Sequence, residues 1–169
     1  MTTPIWVLVP VVLVAAGATW TDLKTRRVPN ALTFPALLAG IAAHAVMQGR
    51  AGALSAALGM LVAGGLFLPG WLMGWKGAGD VKLMAAVGAW VGFPQAVIAA
   101  LVSFIAGGVI ALIEAVRRRM LKQSLANIGM FGAWVMSRGA GVRPMTSGER
   151  FPFALAVLVG GVTAMVWKF

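Results

Sequence analysis

The chain has no cysteine, one histidine and only four acidic residues among 169. Without cysteine there is no disulfide, no zinc–thiolate site and no cysteine nucleophile, although the absence says nothing about redox compartment. The single histidine, His44, has no neighbouring ligands in the sequence, so a metal site is not expected, nor is any cofactor. Packing or an interfacial hydrogen bond is the simpler role for it. Charge of either sign is sparse at 11% of residues, and no internal repeat or low-complexity tract is present.

What is present is apolar. Hydrophobic residues make up 60% of the chain, the mean hydropathy is +0.92, and they come as long blocks rather than stripes. A soluble domain of this size shows apolar stripes, not whole apolar turns. In lipid the backbone must satisfy its own hydrogen bonds, so an all-α polytopic membrane protein is expected, as one domain over 1–169. A transmembrane barrel needs strict apolar–polar alternation, which is lacking. The net charge of +10 invites a nucleic-acid reading. Its placement argues for no nucleic acid: the cations sit in short connections between apolar blocks, where they set orientation and meet anionic headgroups of the bilayer.

Six spans are predicted, Pro4 to Thr21, Ala31 to Met47, Leu54 to Met73, Asp80 to Val91, Gln95 to Ala115 and Phe151 to Trp167. Five reach the practical minimum of about 17 residues. The fourth is cut short by Gly92-Phe93-Pro94, which leaves either a thinned bilayer or an Asp80 below the headgroups. With both termini outside, the cytoplasmic segments hold 12 of the 14 Lys and Arg residues, and only Arg50 and Lys168 lie opposite. That is a strong positive-inside signal. Trp6, Trp90 and Trp167 then fall near the outer interface, and Trp20, Trp71 and Trp75 near the inner one. A cleaved signal peptide would begin with a basic stretch; Met1-Thr2-Thr3-Pro4 has none, so the first block is read as a retained span. The cytoplasmic segment 117–150 has Leu121, Leu125, Ile128 and Val135 at helical spacing and reads as a helix in the inner interface. An active-site flap is the competing role for it.

Against this background the two aspartates stand out. Asp22 closes the first apolar run in Thr21-Asp22-Leu23-Lys24-Thr25-Arg26-Arg27-Val28-Pro29-Asn30, and Asp80 opens the fourth in Gly77-Ala78-Gly79-Asp80-Val81-Lys82. An ionisable group at a membrane segment is a functional-site hypothesis by default. Two at one depth suggest a carboxyl pair that shares a proton and activates water. Gly74, Gly77 and Gly79 remove side chains before Asp80 and leave room for an extended peptide. The bland alternatives are an N-cap at Asp80 and an incidental acid among neighbouring bases at Asp22. The second is weak, because an acid adds little to topology. Glu114 lies three and four residues before Arg117 and Arg118, which suits a helical ion pair. Glu149 beside Arg150 reads as a solvated loop charge. Lys76 and Lys82 are suited to snorkelling or to orienting a substrate backbone. The stretch Gly59 to Gly65 suits close helix packing.

Asp22 through Asn30 and Gly77-Ala78-Gly79-Asp80-Val81-Lys82-Leu83-Met84 together resemble the two signatures of the type IV prepilin peptidases, polytopic aspartic proteases of the Gly-x-Gly-Asp class. Arg150-Phe151-Pro152-Phe153-Ala154 is similar to that family's proline-containing approach to its last span. The resemblance implies that Asp22 and Asp80 are the catalytic aspartates and that Gly77, Gly79, Lys82, Arg27, Pro29 and Asn30 form the motif around the substrate approach. It further implies removal of a short basic leader from prepilins and pseudopilins at the cytoplasmic face of the bacterial inner membrane. Longer members have an N-terminal cytoplasmic region, often with cysteine pairs, linked to methylation. This chain runs directly into its first span, so methylation is not implied, and the short form is similar to the peptidases of tight-adherence (Flp-type) pili. Archaeal preflagellin peptidases are also short. A second reading remains, a transporter or scaffold using the aspartates for proton or cation passage. Transporters place such acids nearer the midplane, often with inverted repeats.

Overall fold

A computed structural model describes residues 5–25, 28–72, 77–117 and 153–166, with only the backbone at 114 and 115. Arg26, Arg27, Lys76, Glu149, the 118–150 stretch and the Arg150–Pro152 approach to the last helix lie outside the described residues, as does the Glu114 side chain. The chain divides into two compact units, Met1–Gly107 with Arg150–Phe169, and Gly108–Glu149. Of the second, the described part is the last stretch of one helix, 108–117.

The described residues form helices and turns alone. They are α1 (Ile5–Thr25), α2 (Asn30–Leu72), α3 (Ala78–Val91), α4 (Gln95–Arg117) and α5 (Ala154–Val166). Three contain stretches long and apolar enough to cross a membrane: Ile5–Thr25, Asn30–Leu72 and Gln95–Ile113; α5 is apolar but shorter. At 21 residues α1 is about 31 Å long, close to the roughly 30 Å hydrocarbon core. Hydroxyls in these helices bond back to their own backbone, as a medium without water requires. Thr19 donates to the Ala15 carbonyl at 2.7 Å, Thr25 to Thr21 at 2.8 Å and Ser103 to Ala99 at 2.6 Å.

Helix α2 is two arms. A straight helix of 43 residues would be about 65 Å long. Gly49 breaks it with φ 64° and ψ −152°, a left-handed φ that only glycine adopts at low cost. The contacts with α3 show the reversal. Along α3 and beyond it, Ala85, Gly88 and Phe93 meet Gly64, Gly59 and Ser55 in turn, so the second arm runs backwards beside α3. Lys82 meets Asn30, and Trp90 meets Ala36 and His44, so the first arm runs forwards. The break falls between the two blocks read as separate spans.

Helix α3 is the centre of the first unit. Leu83, Met84 and every residue from Ala86 to Trp90 are buried. A helix that is apolar and buried all round is sheathed by protein, here by both arms of α2, by α1 and by α5. Its 14 residues therefore need not match the bilayer thickness. Its end is fixed by Gly92, at φ 71°, and by the Phe93 N–H donating to the Ser55 carbonyl at 3.1 Å, while the Ser55 hydroxyl donates to the Phe93 carbonyl at 3.1 Å. The Phe93–Pro94 peptide is cis. Helix α5 places Gly161 against Val11 and Val87, and Gly160 against Ala99 and Ser103. Phe67 packs against Phe104, tilted, and Phe153, edge-on, at centroid separations of 4.4 and 5.5 Å.

Two of the tryptophans differ. Trp20 is 63% exposed near the end of α1, with the Lys24 ammonium 4.5 Å from its ring centre. Trp90 is a core residue instead. Its ring is buried and its Nε1–H donates to the Ala36 carbonyl at 2.8 Å. His44 packs there too: its buried ring stands edge-on to Trp6 at 5.0 Å, and its Nε2 lies 2.9 Å from the Trp90 carbonyl. A carbonyl only accepts, so Nε2 carries the hydrogen.

Candidate functional site

Asp22 lies in the last turn of α1 and is 8% exposed. The helix runs three residues beyond it to Thr25, so Asp22 belongs to the helix rather than to the loop after it. Val28 and Pro29 then lead into α2, where the Pro29 carbonyl accepts from the Leu32 and Thr33 N–H groups at 3.1 and 3.4 Å. Proline fits this position, because the N–H it lacks would have no helical partner. Around the turn, Thr21, Thr25, Val28, Pro29 and Asn30 line an open cleft of about 410 Å³.

Asp80 is half-buried in the first turn of α3. The helix begins at Ala78, two residues earlier than expected, with Gly77 at the N-cap position. Asp80 is therefore the third helical residue and not the cap. Its Oδ2 accepts the Gly77 N–H at 3.1 Å, and its own N–H donates to the Gly77 carbonyl at 3.1 Å. This is the carboxylate half of a capping box, and the helix dipole favours negative charge there.

Two contacts join these segments. A methyl group on Gly79 would stand 3.1 Å from the Val28 Cβ and press it back by a few tenths of an ångström, so glycine lets the two segments lie this close without displacement. Three residues on, the Lys82 ammonium donates to the Asn30 side-chain carbonyl at 3.0 Å, with the Phe34 ring centre 5.4 Å away. Helices α1 and α3 are also packed on each other. The end of α1 with Asp22 and the start of α3 with Asp80 thus lie at one end of the unit. Of the expected motif residues, Gly77 cradles Asp80, Gly79 and Lys82 meet the first motif, Pro29 and Asn30 line the cleft, and Arg27 lies outside the described residues.

Sequence reasoning overlooked Val28, Phe34 and the two threonines of the cleft. Their spacing from Asp22 was visible, since Thr21 and Thr25 are one helical turn apart. The partners of Val28 and Phe34, Gly79 and Lys82, lie about 50 residues away and were not visible.

Residues 6–112, more than half of the chain, match the type IV leader peptidase family. The chain belongs to that family. It is 33% identical over 120 residues to proteins named prepilin leader peptidase/N-methyltransferase from Burkholderia pseudomallei strains 1026b and K96243, a match covering 65% of this chain and 38% of theirs. A protein of the same name from Pectobacterium carotovorum subsp. carotovorum is 33% identical over 128 residues, 70% of this chain and 43% of its own length. The chain thus spans about two fifths of the relatives it matches. No solved structure matches it. The matched region of the leader peptidase family contains both aspartate motifs and the contacts between them.

Proposed function

We propose that this leader peptidase family member is a membrane aspartic endopeptidase. It removes the short basic leader of type IV prepilins and pseudopilins, of the Flp-like kind, at the cytoplasmic face of the bacterial inner membrane. The observation that carries the reading is the junction of the two motifs, Gly79 on Val28 and Lys82 on Asn30, which draws the two carboxylate-bearing helix ends together. Two carboxyls sharing one site cannot both ionise cheaply, so one keeps a proton. The ionised partner takes a proton from water as the water attacks the scissile carbonyl. The protonated partner polarises that carbonyl, and the roles exchange as the amine leaves. The pair titrates as a unit, so neither residue is the permanent acid. A leader that is short, basic and followed by an apolar helix presents its scissile bond at the inner interface. The cleft beside Asp22 opens at that end of the unit. The deciding experiment is co-expression with a prepilin in cells lacking any other prepilin peptidase. Shortening of the precursor on a gel is expected, and an unprocessed precursor overturns the reading.

In the same reading the two arms of α2 are separate spans, giving six in all with both ends outside. Reporter fusions at Gly49 and Gln123 are then expected to report opposite sides of the membrane. Reports from one side break this arrangement.

The close approach at Gly79 gives a further expectation. Alanine there forces Val28 back by a few tenths of an ångström, and Val28 belongs to the short link between Asp22 and α2. Misplacement of that size near reacting groups costs rate steeply, so Gly79→Ala is expected to lower processing roughly tenfold at unchanged membrane level. Combining it with Val28→Gly removes the opposing Cβ and should restore part of the rate. Time courses of precursor shortening measure both.

A further inference from the structure

We propose that Lys82 and Asn30 form a clasp that positions the two aspartates, Lys82 itself not meeting the substrate. This rests on the peptidase reading above. It gives Lys82, read from the sequence as a snorkelling or substrate-orienting cation, a different task.

The placement of the contacts carries the argument. Asp80 sits between two fastening points on α3, Gly79 before it and Lys82 after it. Both points hold the same short segment that follows Asp22: Gly79 rests on Val28, and Lys82 reaches Asn30 and Phe34. The Asn30 carbonyl at 3.0 Å takes one of the three ammonium donors of Lys82. The Phe34 ring, 5.4 Å from the ammonium, lies within cation–π range. A side chain reaching freely to headgroups would have no need of a fixed partner on another helix. Asn30 opens α2, so the bond ties the first turn of α2 to the second turn of α3. The link between Asp22 and α2 is short, and the Gly79–Val28 contact is van der Waals and unable to resist sliding along α3. The directional Lys82–Asn30 bond supplies that resistance. An exposed hydrogen bond adds little to overall stability. Its effect falls on the relative placement of the two carboxyl-bearing turns, to which a two-carboxyl reaction is most sensitive.

The test uses the full chain, purified and returned to lipid vesicles, with a prepilin as substrate. Lys82→Met and Asn30→Ala are each expected to lower kcat about tenfold or more with KM little changed, and the double variant to be no worse than the poorer single one. Lys82→Arg, which keeps a donor, should recover much of the rate. A rise in KM with kcat intact would mean that Lys82 meets the substrate, and additive losses would mean that the residues act apart; either overturns the clasp. Asp22→Asn and Asp80→Asn run beside them. Cleavage by either sinks the peptidase reading itself, whereas inert aspartate variants alongside fully active clasp variants sink the clasp alone.

A readout independent of turnover completes the test. The chain has no native cysteine, so spin labels at Leu23→Cys and Ala78→Cys, both exposed, report the spacing of the two helix ends. Lys82→Met is expected to broaden that distance distribution and Lys82→Arg to leave it narrow. An unchanged distribution in Lys82→Met overturns the proposal.

Discussion

Asp22→Asn and Asp80→Asn are each expected to abolish leader removal, by at least about 10³-fold, while leaving the protein in the membrane. Asparagine has nearly the shape of aspartate. It can neither take a proton from water nor return one to the leaving amine, so each replacement removes half of a two-carboxyl reaction. The structure separates this loss from an effect on folding. Asp80 accepts the Gly77 N–H through Oδ2, and an asparagine oxygen can accept the same bond, so the first turn of α3 keeps its cap. Asp22 is buried in the last turn of α1, and a neutral amide of equal size at that place creates neither a cavity nor a buried charge. The double variant should be little worse than either single one, because residues that act as a unit do not lose activity additively. Gel assays of precursor shortening, normalised to membrane levels, measure all three. Normal processing by either single variant removes the case for a shared reaction.

The apolar blocks made most of the fold legible, because in lipid a long apolar run has few structural options. The helices Ile5–Thr25 and Gln95–Arg117 follow the first and fifth predicted spans, Pro4 to Thr21 and Gln95 to Ala115, closely, and the break in α2 falls at Gly49, between the blocks read as separate. The short α3 and its break at Gly92-Phe93-Pro94 were visible, but not its enclosure by other helices. Hydropathy cannot tell a helix facing lipid from one facing other helices, and only the packing of Leu83 through Trp90 shows α3 to be the sheathed one. Trp90 was misjudged on the same ground: a tryptophan near the end of a span resembles a belt residue until its N–H is found on Ala36.

The candidate site divides in the same way. Asp22 and Asp80 were legible because a carboxylate beside hydrocarbon is costly and therefore conspicuous. The residues that join their segments were not. Val28 reads as one more apolar residue, and Lys82, with Gly79 and Asn30, as a motif residue near the substrate rather than as a link between the two segments. Their roles depend on Gly79 and Asn30, about 50 positions distant, and no local periodicity records a pairing at that range. The start of α3 shifted by two residues for a local reason. Glycine at 77 takes the cap position and leaves Asp80 to act from the third helical residue.

A second large effect is expected where α2 and α3 touch backbone to backbone. A Cβ on Gly88 would collide with the Gly59 carbonyl oxygen and lie 2.7 Å from the Ala63 Cβ. A Cβ on Gly59 would collide in turn with the Gly88 carbonyl oxygen and lie 2.9 Å from the Gly92 carbonyl carbon. Neither obstacle is a flexible side chain, so the helices themselves must part. Small residues that permit such approach are a main source of helix association in lipid, where no hydrophobic drive separates one apolar surface from another. Overpacking of this kind costs about 1–3 kcal/mol for a single added carbon, and more for a branched side chain. Gly88→Leu is therefore expected to abolish the folded protein, and Gly88→Ala to lower its Tm in detergent by several degrees, since 1 kcal/mol corresponds to about 2–4 °C for a chain of this size. Gly65 is the control within the same arm. A methyl group there meets nothing within 4 Å, and Gly65→Ala should be neutral or stabilise by about 0.5–1 kcal/mol through the better helix propensity of alanine. Membrane abundance and thermal unfolding of the three variants decide the matter. A Gly88→Leu protein as abundant and as stable as the parent would mean that α2 and α3 do not meet as described, and the placement of Asp80 would fall with them.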